Sequence, residues 1–151
     1  MQATIISDTS CLILLTNARK LHFLEQLFDK VYITPTIASE YKLPIPAWME
    51  VRMPSPEQFA HFKEILFDEG ESSAFALQLE IPEAILVLDD RDARKLALKL
   101  NLKFMGTLGI IKILKERMMI ASGKEILDDL KKAGMRLSAD LEEDFLKMIG
   151  E

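Results

Sequence analysis

The sequence predicts an α/β fold: a mostly parallel central sheet of four to five strands flanked by helices, with two extra C-terminal helices. Three observations predict it. Short β-prone runs alternate with segments of helical periodicity, which is the pattern of strand–helix–strand units. Ala84 to Leu88 is an unbroken apolar run, as expected of a strand covered on both faces. The chain has 151 residues and 49% hydrophobic content, the size and composition of one domain with a substantial core. Residues 1–151 therefore read as a single domain, with a core over about 3–120 and a helical extension over about 122–150.

Residues 3–7 are short and β-prone and end at Asp8. A short helix follows over 10–17, and the spacing of Leu21, Leu24, Leu27 and Phe28 predicts another. Val31 to Ile33 is the second strand. Thr34-Pro35 has the N-cap residue and first-turn proline of a helix start, and that helix runs to about Leu43, before Pro44 and Pro46. Residues 48–53 alternate loosely as a strand. Ser55 and Gln58 have capping-box spacing and open a helix to about Phe67. Asp68-Glu69-Gly70 reads as a turn, and Glu71 to Glu80 as a helix. After the strand at 84–88 come a helix over 92–100, a strand over 102–105, and a helix from Thr107 to about Met118. Ser122 with Glu125, and Ser138, open the two last helices, the first ending near Gly134 and the second reaching Ile149.

Composition removes several function classes. Cys11 is the single cysteine, so an internal disulfide and a thiolate metal cage are excluded. His22 and His61 fall in separate helices and read as ordinary helix residues. Any resident metal would need oxygen ligands, which favours Mg²⁺ or Mn²⁺ over zinc. A net charge of −5 argues against a nonspecific nucleic-acid coat protein but is compatible with an acidic metal site. No apolar run approaches membrane-span length, and the first ten residues lack the charge and cleavage pattern of a signal peptide. The expectation is a cytoplasmic protein with no membrane partner.

The chemistry-bearing residues gather at strand ends, where open parallel sheets bind ligands. The first strand delivers Asp8, the strand at 84–88 delivers Asp89 and Asp90, and the strand at 102–105 delivers Gly106 and Thr107. Glu40 falls close to the apolar face of its helix, and Glu71 stands at a helix N-terminus, where the dipole favours its ionised form. Each has an ordinary reading beside this one. A strand-end Asp is often only a helix cap, Glu71 alone is a common first-turn acid, and Glu40 alone fits a solvated helix surface. Asp68, Glu69 and Asp92 read as solvated. The case rests on the set: carboxylates that converge repel one another, and a divalent cation removes that conflict.

At these residues the sequence resembles the PIN-domain family, in particular the VapC-like toxin nucleases and a related group of prokaryotic PIN proteins. Ser7-Asp8-Thr9-Ser10 is similar to the opening strand-end motif. Pro35 through Glu40 is similar to the proline-started helix with the second acid, and Gly70 through Ala74 to the segment with the third. Leu88 through Arg94 is similar to the fourth motif, and Gly106-Thr107-Leu108-Gly109 to a Gly-Thr turn of the related group. The third acid is Glu where the toxins usually have Asp, and Leu88 stands where they usually have a hydroxyl residue. Within the fourth motif, Asp89 and Asp90 both remain open as the acid.

The resemblance implies a PIN-like three-layer α/β/α fold and a metal-dependent endoribonuclease. Asp8, Glu40, Glu71, Asp89 and Asp90 would be catalytic and metal-binding, with Mg²⁺ or Mn²⁺ as cofactor. Ser10 and Thr107 would position a carboxylate or the scissile phosphate. The implied partners are an RNA substrate and, for a toxin, an antitoxin protein and a second copy in a homodimer; an orphan nuclease is the other arrangement. Arg91, Arg94, Lys95 and Lys99 share one helical segment and read either as phosphate contacts or as a solvated face. Lys112, Lys115 and Arg117 read the same way. Cys11, flanked by apolar residues, reads as a buried helix residue and not as a nucleophile.

Two other classes compete. One is a PIN-like module that has lost catalysis and binds RNA or protein, for which Trp48, Met49, Met118 and Met119 would offer apolar surface. The other is a phosphoryl-accepting domain. Ser10 stands where a phosphatase of that kind needs a second Asp, and Met105 to Leu108 lacks a receiver's lysine.

Overall fold

The computed structural model describes residues 3–151. Met1 and Gln2, which belong to the expected domain and to the segment read for a leader, lie outside the described residues. The first half contains β1 (Thr4–Ser7), α1 (Thr9–Asn17), α2 (His22–Leu27), β2 (Lys30–Ile33), α3 (Pro35–Tyr41), β3 (Met49–Val51) and α4 (Pro56–Leu66). The second contains α5 (Glu69–Glu80), β4 (Ile85–Val87), α6 (Arg91–Lys99), β5 (Phe104–Met105), α7 (Thr107–Glu116), α8 (Gly123–Lys132) and α9 (Ala139–Met148). The strands form one parallel sheet in the order β3-β2-β1-β4-β5, flanked by helices in the expected three-layer arrangement.

Consecutive strand residues point to opposite faces, so the burial of both Ile5 and Ile6, and of both Leu86 and Val87, means helices cover the sheet on two sides. The strand order reverses between β1 and β4, which pair Ser7 with Val87. The Asp8 N–H continues this pairing onto the Val87 carbonyl at 3.2 Å. The crevice beyond the carboxyl ends of these two strands is the topological switch point, where open α/β sheets bind ligands.

Helix ends follow the residues expected to cap them. Thr34, Ser55, Ser122 and Ser138 each accept a hydrogen bond from a first-turn backbone N–H. Several boundaries move. α3 stops at Tyr41 and not near Leu43: Lys42 takes the left-handed conformation, and Leu43 precedes a proline, which disfavours helix. α5 starts at Glu69, inside the expected turn, because Asp68 caps it through a 2.8 Å bond from the Glu71 N–H. β4 and β5 are shorter than their apolar runs, and α7 ends at Glu116.

α5 is buried along most of its length, from Ser72 through Gln78, and packs on β1, β4, α3 and α4. Its small residues allow that approach, and its hydroxyls are satisfied internally. Ser72 donates to the Asp68 carbonyl at 2.6 Å and Ser73 to the Gly70 carbonyl at 2.7 Å. Thr34 and Ser73 join at 2.6 Å, and Thr34 also accepts from the Ile37 N–H. This buried chain couples the start of α3 to the start of α5.

At the other end of the chain, Leu127 and Leu130 of α8 and Phe145 of α9 join the same buried apolar cluster as the sheet. The Glu151 carboxylate holds the α8 N-terminus through Ser122 and the Gly123 N–H, and pairs with Lys115 at 2.9 Å. Lys115 pulls its carboxyl down to about 2, aided by these bonds. Among the described residues no helix is long and apolar enough to cross a membrane.

Ser73→Ala would remove the hydroxyl bond to the Gly70 carbonyl and break the buried link to Thr34. The expected loss in urea unfolding is about 1–3 kcal/mol; a change below about 0.5 kcal/mol would show that the α3–α5 link carries no stability.

Candidate active site

Asp8 leaves β1 at the switch point and is 3% exposed. Its Oδ1 accepts from the Cys11 N–H at 2.9 Å, so it caps α1 as well as facing the crevice. Glu40 comes from the last turn of α3, where Thr9 of α1 donates to its Oε1 at 2.6 Å. Thr16, two turns further along α1, and Tyr41, next to Glu40, tie the same two helices at 2.6 Å. Glu71 comes from the first turn of α5.

Asp8, Glu40 and Glu71 line one cavity of about 290 Å³, together with Asp68, Thr9, Ser10 and Ile13. Gly70 leaves room for the Glu40 carboxylate: a Cβ there would clash with Glu40 Oε1 and lie 3.3 Å from Thr9 Oγ1.

The 89–90 pair sits at the rim. Asp89 accepts from both the N–H and the hydroxyl of Thr107, at 2.8 and 2.5 Å, which locks its carboxylate to the start of α7. Gly106 leaves room for it, since a Cβ there would come within 2.8 Å of both Asp89 Oδ1 and Arg94 Nη1. Asp90 caps α6 through the Ala93 N–H at 3.0 Å. Neither lines the 290 Å³ cavity; Asp89 lines the neighbouring one. Both act on it electrostatically, Asp89 on Asp8 and Asp90 on Glu71.

The electrostatics are those of acids crowded without a counter-charge. Burial pushes the Asp8 carboxyl up to about 7, against the pull of the Cys11 N–H, and the charge of Asp89 adds to the rise. Glu71 rises to about 8, first through burial and then through Asp68, Asp90, Asp8 and Glu40. Asp8, Glu40, Asp68, Asp89 and Asp90 each accept a hydrogen bond; Glu71 takes none among the described residues. Cys11 is fully buried, and burial followed by Asp8 and Asp89 raises its thiol far above the reactive range.

The donor set fits a hard divalent cation: several carboxylates and hydroxyls, and no nitrogen or sulfur ligand on the cavity. As the side chains stand, no three acids, histidines or cysteines among the described residues are arranged to hold an ion. Asp8, Glu40 and Glu71 nonetheless share one cavity, and the charge they add to each other is the conflict a cation removes.

Sequence reasoning missed two contributors. Asp68 is exposed, as expected of a turn acid, yet it lines the cavity and is the largest charge acting on Glu71. Its position three residues before Glu71 was the available signal, because that is cap spacing. Thr9, and not only Ser10, is the hydroxyl that reaches an acid. Of the cations on α6, Arg94 reaches the site region, while Arg91, Lys95 and Lys99 are exposed and line none of these cavities.

The charge burden has a sign. Between about pH 4 and 8 the folded chain keeps protons on Asp8 and Glu71 that the unfolded chain releases. Stability of the cation-free protein therefore falls as pH rises through that window. Asp8→Asn keeps an acceptor for the Cys11 N–H and removes the charge. Its Tm in EDTA at pH 8 should exceed that of wild type by about 3 °C or more, with the gap closing at pH 4. An equal or lower Tm at pH 8 would mean the acids do not burden the fold.

A family model described as a PIN domain matches residues 4–151. No curated protein matches the chain.

Proposed function

The chain belongs to the PIN-domain family, a nuclease fold, and from that premise we propose that it is a metal-dependent endoribonuclease acting as one domain over residues 1–151. The observation that supports this most is the cavity at the β1/β4 switch point, where Asp8, Glu40 and Glu71 meet with no cationic side chain among the described residues that line it. Asp8, Glu40 and Glu71 would hold Mg²⁺ or Mn²⁺, with Asp89 and Asp90 completing the acidic shell from its rim. When bound, such a cation supplies Lewis acidity for phosphodiester hydrolysis and an activated water.

The protein's own side chains then have defined tasks. Asp8, held by the Cys11 N–H, and Asp89, held by Thr107, present fixed carboxylates on the two strands that flank the crevice. Thr9 sets the rotamer of Glu40, as supporting partners of ligands commonly do. Glu71, which has no donor among the described residues, would have to give up its proton to hold a cation, so affinity is expected to rise with pH through about 8. Ser10 is exposed, lines both the acidic cavity and its neighbour, and is suited to contact a phosphate. No side-chain nucleophile is required, consistent with the inert Cys11.

A second reading is a PIN module that binds RNA or protein without cleaving. It is favoured by one observation: as the side chains stand, no three acids among the described residues are arranged to hold an ion. Homodimer formation and an antitoxin partner are further parts of the toxin version of the proposal.

Purified protein should cleave single-stranded RNA with Mn²⁺ and stop when EDTA is added, and Asp8→Asn should abolish cleavage while keeping the wild-type circular dichroism spectrum. Thr107→Val should lower the rate about tenfold through misorientation of Asp89. Cleavage that survives both EDTA and Asp8→Asn would remove the proposal; Mn²⁺-insensitive RNA binding with no cleavage would favour the binding module.

A further inference from the structure

A second cavity, of about 650 Å³, opens directly beside the acidic one and shares Ser10 and Ile13 with it. Asp89 lies on its wall. The α8–α9 loop supplies its far side through Met135 and Arg136, and α9 supplies Leu141. We propose that this groove binds the nucleotide next to the scissile phosphate of a single-stranded RNA. Its apolar wall takes the face of the base, and Arg94 and Arg136 take the flanking phosphates. The inference rests on the nuclease reading of the acidic cavity and extends it to the path of the substrate.

Four observations carry it. The volume lies within the usual range of small-ligand sites, about 300–1,000 Å³, so a nucleotide fits. Ile13 and Leu141 are 40% and 57% exposed, although large apolar side chains are costly to leave in water. Both line this groove, and a base stacked on them would cover that surface.

The groove's two cationic side chains are Arg94 and Arg136, and neither forms an ion pair among the described residues. Arg94 lies over the Phe104 ring at 5.4 Å, with Nη1 close to Gly106 and so to the Asp89 side of the site. Guanidinium groups not engaged in an ion pair are the side chains best shaped for bidentate phosphate contact.

The last observation is continuity. An RNA cleaved internally must extend beyond the acids, whose negative charge repels phosphates. The junction at Ser10 leads from that acidic cavity to two cations. The apolar wall also selects strandedness, because a paired and stacked base has no free face to offer.

The test measures binding apart from catalysis. Fluorescence anisotropy of a labelled mixed-sequence single-stranded RNA 12-mer, and of the same sequence as a duplex, is followed in EDTA, where no cleavage is expected. Arg136→Ala is on an exposed loop, and Leu141→Glu replaces an exposed helix residue with a good helix former. Each should weaken single-strand binding about tenfold. Arg136→Ala should also reduce the slope of log affinity against log salt by about 0.7, as for one lost phosphate contact.

Arg52→Ala, which removes an equal charge from a residue that lines neither cavity, should change affinity less than twofold, and the duplex should bind more weakly than the single strand. Mn²⁺-induced thermal stabilisation of Arg136→Ala should match wild type, which separates the groove from the acidic site. Loss of RNA binding in Arg136→Ala and Leu141→Glu supports the groove even if wild type does not cleave, an outcome that would remove only the nuclease reading. Unchanged binding in both variants overturns the groove assignment even if cleavage occurs, and would leave a protein segment as the occupant of the apolar wall. Equal loss in Arg52→Ala, or no binding by wild type, overturns it as well.

Discussion

Repulsion among carboxylates drawn to one point is the constraint on which the architecture turns. Asp8 is buried at the end of a central strand, and its neighbours at the crevice are acids and not cations. In water such groups would separate; here the sheet, α3 and α5 hold them close. The folded chain answers by favouring protonated Asp8 and Glu71 and by giving the other acids neutral donors from Thr9, Thr107 and helix N-termini. Buried charge of one sign, kept at the cost of stability, is the signature expected of a site built for something positive.

The rest of the fold supplies the stiffness that this proximity requires. Both faces of β1 and β4 are covered, so the strand ends that deliver Asp8 and Asp89 cannot splay. The hydroxyl chain from the Ile37 N–H through Thr34 and Ser73 to the Gly70 carbonyl fixes α3 against α5. Gly70 then removes the one side chain that would push Glu40 away. Caps serve two purposes: Asp8, Asp68 and Asp90 each start a helix and each add charge to the crevice or its rim. Helix nucleation and site assembly thus use the same residues.

What could be read from the sequence is what has a local signature. The parallel sheet followed from apolar runs spaced between helical stretches, and the placement of Asp8 and Asp89 beyond strand ends followed from that. Caps at Thr34, Ser55, Ser122 and Ser138 were legible as residue types at fixed offsets. Gly70 misled, because a glycine between acids resembles a turn, whereas here it relieves a close contact inside a helix. Thr9 with Glu40, 31 residues apart, and Asp89 with Thr107, 18 apart, are tertiary pairs with no pattern in the chain. Likewise, nothing in α8 or α9 as sequence indicates that their loop walls a groove beside Asp89; that depends on Leu127, Leu130 and Phe145 docking into the common core.

Location of a bound cation tests the central claim most directly. Crystals grown at pH 8 with Mn²⁺ should give an anomalous difference peak inside the crevice, about 2.0–2.3 Å from oxygens of Asp8 and of at least two among Glu40, Glu71, Asp89 and Asp90. Ordered crystals at millimolar Mn²⁺ that show no peak there, or a peak only on acids elsewhere on the surface, would contradict the account.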